Sequence, residues 1–135
     1  MPCNEFLFGE NGTALRVNSD GSWEITHGDR RWPLNEIKDF YRAWLLFEYP
    51  FETVSSKLDE MAQCVQSPRR FAFEKLVASA LQTRNTNLIN QGMDWVPYLS
   101  AHQIETLLDP LRDVTNTKIG SQRARQLARK HVNRA

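Results

Sequence analysis

Apolar residues alternate with polar ones over much of the first thirty positions, then switch at Trp32-Pro33 to a spacing of three and four. Period two marks a half-buried strand, and a period near 3.6 marks an amphipathic helix. A chain that separates the two this way predicts an α+β fold, with strands first and helices after.

The strand region has two turn clusters, Gly9-Glu10-Asn11-Gly12 and Asn18-Ser19-Asp20-Gly21. Leu15 and Val17 alternate before the second cluster, Trp23 and Ile25 after it. Residues directly opposite on antiparallel strands share a face. Pairing Val17 with Trp23 and Leu15 with Ile25 keeps all four on one face, with residues 18–22 as the loop. Phe6 and Phe8 offer a third strand. A lone hairpin is marginal in water, so this two- or three-stranded antiparallel ribbon has to pack on helices.

Five to six helices follow. Pro33 suits the first position of one that carries Leu34, Ile37, Tyr41, Trp44 and Leu45 and ends near Phe47 before Tyr49-Pro50. A second fits about residues 52–66, with Val54, Leu58, Met61 and Val65 on one face. Ser67-Pro68 reads as N-cap and first position of a third, about residues 68–82. Asn85-Thr86-Asn87 and Asn90-Gln91-Gly92 punctuate a short segment around Leu88-Ile89. Ser100 and Gln103 match a capping box, and Pro110 is expected to kink or split the helix it opens. Ser121 caps a last helix. No internal repeat is evident. The expected plan is one domain, residues 1–135: ribbon to residue 31, helical body over 32–114 and basic C-terminal segment over 115–135.

The first residues carry no basic stretch, and no apolar run approaches the roughly 20 residues of a spanning helix. The expectation is a cytoplasmic protein without a membrane partner. Cys3 and Cys64 are then reduced thiols, Cys64 a small buried hydrophobe.

Signatures of catalysis are sparse. The sequence lacks GxGxxG, Walker A and GxSxG patterns. His27, His102 and His131 stand far apart, and neither they nor the cysteines fall at metal-ligand spacing. His102 with Glu105 is weak as an acid–base pair, because convergent partners are missing. Asp109 and Asp113 read as solvated. No cofactor, metal or catalytic residue is assigned, and the reading leans away from an enzyme.

Charge is more informative. The formal net charge of +1 hides a division: residues 112–135 carry +6 and the rest −5. On a helical wheel, Ala124, Leu127, Ala128, His131 and Val132 form an apolar arc. Arg123, Lys130 and Arg134 line one edge of it, and Arg125 and Arg129 the other. Gln122, Gln126 and Asn133 form an outward ridge. That layout suits a helix in a nucleic-acid groove, with arginines on phosphates and amides on bases, and Lys118 adds a further cation. With the preceding helix it resembles a helix-turn-helix with an overlong turn. RNA is equally open.

The leading expectation is thus a small nucleic-acid-binding accessory or regulatory protein. The alternative is a protein-interaction adaptor, inhibitor or assembly subunit that meets an acidic surface, including that of another copy. Arg30, Arg31, Arg69 and Arg70 are a possible second basic patch. Trp32, Trp95 and Tyr98 are candidates for an exposed apolar interface.

Overall fold

The hairpin forms in the expected register, Val17 opposite Trp23 and Leu15 opposite Ile25. The computed structural model describes residues 3–8, 11–67 and 69–134. The expected turn residues Gly9 and Glu10, and Pro68 as a helix start, lie outside the described residues. The chain divides into two compact units, residues 1–72 and 73–135.

The first unit holds a four-stranded antiparallel sheet in the order β1 (Glu5–Leu7), β2 (Thr13–Val17), β3 (Trp23–His27), β4 (Arg30–Pro33). Phe6 pairs with Leu15, which makes β1 the expected third strand. The fourth was not foreseen. Gly28-Asp29 makes a two-residue turn between paired His27 and Arg30. Such tight hairpin turns need positive φ, and Gly28 sits at φ 60°. Trp32 thereby lands opposite Ile25.

Pro33 therefore ends a strand rather than starting a helix. The helix after it runs Ile37–Glu48 and is 3₁₀ throughout. Three residues per turn line up positions 37, 40, 43 and 46. Phe40, Ala43 and Leu46 are accordingly buried, whereas Tyr41 and Leu45, inward at an α-helical period, are exposed. The Asp39 carboxylate accepts the N–H groups of Glu36 (2.9 Å) and Asn35 (3.2 Å) at the helix start. These bonds, that to Glu36 foremost, hold its carboxyl below the usual carboxylate range.

Helix α1, Phe51–Cys64, buries Val54, Leu58 and Met61 as its pattern predicts. The chain then leaves the helical path at Gln66 (φ 55°). The Ser67 hydroxyl accepts the Arg69 N–H at 3.0 Å, yet no helix follows until Phe73. Phe71 is buried in this stretch, its ring meeting those of Trp23 (5.3 Å) and Phe40 (5.6 Å) edge-on.

The expectation for the cysteines is overturned. Cys3 and Cys64 are both exposed, and their sulfurs are bonded to each other, with Cα atoms 6.1 Å apart. That separation lies within the disulfide range. The bond ties the chain just before β1 to the last residue of α1. Its span of 61 residues in sequence hides the pairing from any local pattern.

The second unit holds α2 (Phe73–Leu81), α3 (Thr86–Trp95), a 3₁₀ turn (Val96–Tyr98), α4 (Ala101–Glu105), α5 (Leu108–Asn116) and α6 (Gln122–Arg134). Asn85 caps α3 by accepting the Leu88 N–H at 3.1 Å. The helix then runs straight through Asn90-Gln91-Gly92, expected as a break. Gly92 is there for packing: a Cβ on it would come 3.2 Å from that of Ala80 and 3.3 Å from Leu81 Cδ2. Its bare backbone lets α3 press against α2.

The Ser100–Gln103 capping box forms with both bonds, at 2.9 and 3.1 Å. The helix it opens is split at Thr106–Leu107 into α4 and α5. Pro110 accounts for the split, because it cannot donate to the Thr106 carbonyl and its ring crowds it.

Helices α2 and α3 form one hairpin, α5 and α6 another, with α2 packed on α5 and α3 on α6. Leu76, Ser79, Ile89 and Met93 are buried in the first hairpin, and Leu111, Val114, Ala124 and Ala128 in the second. Among the described residues no helix is long and apolar enough to cross a membrane.

Candidate docking site

Helix α6 opens as expected, with Ser121 Oγ accepting the Ala124 N–H at 3.1 Å. Ala124 and Ala128 are buried, and Leu127, His131 and Val132 half-buried, so the apolar arc faces inward. Gln122, Gln126 and Asn133 are exposed.

The two basic edges are not equivalent along their length. Arg123 Nη1 lies 2.6 Å from Asp94 Oδ1 on α3. Arg125 Nη1 donates to the Gly120 carbonyl at 2.6 Å. The first arginine of each edge is thus engaged within its own unit. Arg129, Lys130 and Arg134 are exposed in the last turns, and no described carboxylate forms an ion pair with them. Lys118 is exposed in the connection before the helix.

Beside Lys130 and Arg134 lies an open apolar groove of about 650 Å³. One wall is Pro97, Ala101, Ile104 and Leu108, and α6 contributes Leu127. Lys130, His131 and Arg134 line it from α6, and Glu105 from α4. Sequence reasoning missed this groove. It placed Ile104, Leu107, Leu108 and Leu111 on one helix that Pro110 would kink or split. The split at residue 106 buries Leu107 and Leu111 and leaves Ile104 and Leu108 half-exposed. The available signal was Pro110, whose expected kink or split was not followed through to the apolar residues it would turn outward.

Burial, then the charges of Arg134 and Lys130, push the His131 pKa below its ordinary 6.5. The folded protein thus favours neutral His131 more than the unfolded chain does. The resulting stabilisation is whole above the ordinary value and is lost as pH falls through the folded one. An NMR titration should place the His131 midpoint below that of a short peptide with the same sequence. An equal or higher midpoint would contradict the burial described.

The other candidate residues are dispersed. Arg30 and Arg31 lie on β4, and Arg31 sits 3.8 Å from Glu24. Arg69 lies along the 18–22 loop, where a Cβ on Gly21 would come within 3.1 Å of its Cδ. That loop is at the opposite end of β3 from the turn beside Arg30, about 15 Å away for a strand of five residues. The four arginines therefore do not form one patch. Trp32 is half-buried under the Arg42 guanidinium, 4.2 Å from its ring centroid. Trp95 is buried with its ring 6.0 Å from that of Phe73, and Tyr98 is exposed. Trp95, being buried, does not belong to an exposed apolar face.

His27 Nδ1 lies 2.8 Å from Thr13 Oγ1, and His102 is exposed on α4. Among the described residues no three His, Cys, Asp or Glu side chains converge as a metal site would require. Asp109 pairs with Arg112 at 3.3 Å. Comparison with protein-family models, curated proteins and solved structures finds no match for the chain.

Proposed function

We propose that this chain is a protein-interaction module that docks an acidic partner surface through the C-terminal half of α6. One observation supports this over nucleic acid: the exposed Lys130 and Arg134 border an open apolar groove. A phosphodiester backbone uses cations but has little use for an aliphatic wall, whereas a protein partner uses both. The engagement of Arg123 and Arg125 removes one cation from each edge of the layout that favoured a nucleic-acid groove.

Capture from a nuclease-treated lysate tests the reading. A discrete acidic protein should be retained by the chain and lost with Arg129→Glu/Arg134→Glu. A second reading, nucleic-acid binding, is favoured by exposed Gln122, Gln126 and Arg129. Capture that nuclease abolishes would support that reading, as would tight binding to mixed DNA or RNA that falls steeply with salt; either result would overturn the first. The compartment can be tested through the cysteines. A reduced pair in protein taken from cells agrees with the cytoplasm, and an oxidised pair argues for an oxidising compartment.

A further inference from the structure

We infer that the groove between α4 and α6 receives an amphipathic helix of the partner, its apolar side chains seated on Ile104, Leu108 and Leu127 and its acidic ones meeting Lys130 and Arg134. This rests on the docking reading above and names the partner's chemistry.

Size, shape and charge carry it. A cavity of about 650 Å³ has room for a few large side chains. Its walls are helices, and its apolar lining is open to solvent, the setting in which an incoming helix presents anchors at i, i+3, i+4 and i+7. Those anchors sit about 5–6 Å apart along one face, so two or three span a groove of this size. The polar lining is lopsided. The α6 side offers Lys130 and Arg134, with His131 between them, while the α4 side offers Glu105. An incoming helix with acids on one edge matches α6, and a neutral or basic opposite edge avoids Glu105. The charges therefore set the helix's rotation as well as its affinity.

The test uses a labelled peptide of about sixteen residues, long enough to form helix on docking, with leucines at i, i+4 and i+7 and glutamates on one edge. Anisotropy should show binding by the full chain. Replacing the leucines with serine should weaken it more than about tenfold, as should replacing the glutamates with lysine. Ala101→Glu puts a carboxylate into the groove at the first position of α4, where the helix dipole tolerates it. Circular dichroism should show this variant folded, and its binding should fall about tenfold. Binding that survives the serine peptide and Ala101→Glu, yet vanishes with Arg129→Glu/Arg134→Glu, overturns the groove and leaves the docking reading standing. Equal binding of the lysine peptide overturns both.

Discussion

Removing the Cys3–Cys64 bond is expected to lower the stability of the first unit by about 4 kcal/mol. The estimate follows from the chain the bond closes: 61 residues of separation give the unfolded chain a large loop entropy once it is cut. Little else secures the start of β1. Its strand is three residues long. Asn4 adds two bonds to Val17, one from its side chain at 2.9 Å and one to its carbonyl at 3.1 Å. The Phe6 ring meets Tyr49 edge-on at 5.3 Å. Thermal melts of oxidised protein and of Cys3→Ser/Cys64→Ser should differ by more than about 15 °C, given the usual 4–8 °C per kcal/mol in a unit this small. Amide exchange should rise first in β1. Coincident melts would show that the bond is dispensable.

Leu111→Ala is expected to cost the second unit about 3–4 kcal/mol. Leu111 is fully buried on α5, the helix that packs on both α2 and α6. Truncation there removes the transfer free energy and leaves a void that two neighbouring helices cannot both close. Thermal melts followed by circular dichroism should place the variant's midpoint well below that of the unaltered chain. The adjacent Arg112→Ala is the control. Arg112 is exposed and pairs only across the surface with Asp109, so its loss should stay below about 1 kcal/mol. Equal midpoints for the two variants would contradict the stacking of the hairpins.

Local rules were enough where structure is locally determined. The five-residue loop followed from keeping Leu15, Val17, Trp23 and Ile25 on one face. The Ser100 and Ser121 caps and the Pro110 split followed from backbone chemistry. β4 was missed although Gly28-Asp29 is itself a hairpin signal, because Pro33 drew the reading toward a helix. The helix after it was placed close to its true span but given the wrong face, since the wheel assumed 3.6 residues per turn and the chain uses three. Gly92 and the two cysteines could not be read locally. Gly92 answers to Ala80 on a neighbouring helix, and Cys64 to a residue 61 positions away.

The same division runs through the site. The arc of α6 that turns inward was legible from its period alone. The engagement of Arg123 by Asp94 and of Arg125 by Gly120 was not, because each depends on where a carboxylate or carbonyl lies in space. The charge count treated seven cations as equal. The fold singles out three at the end of the helix and sets two of them, Lys130 and Arg134, beside an apolar wall that no single segment encodes.

An amide chemical-shift map of the full chain, taken as the acidic amphipathic peptide is added, tests the central claim most directly. The docking account predicts shifts concentrated at Ala101, Ile104, Leu108, Leu127, Lys130 and Arg134. Shifts confined to the Gln122 and Gln126 ridge, with the groove silent, would contradict it.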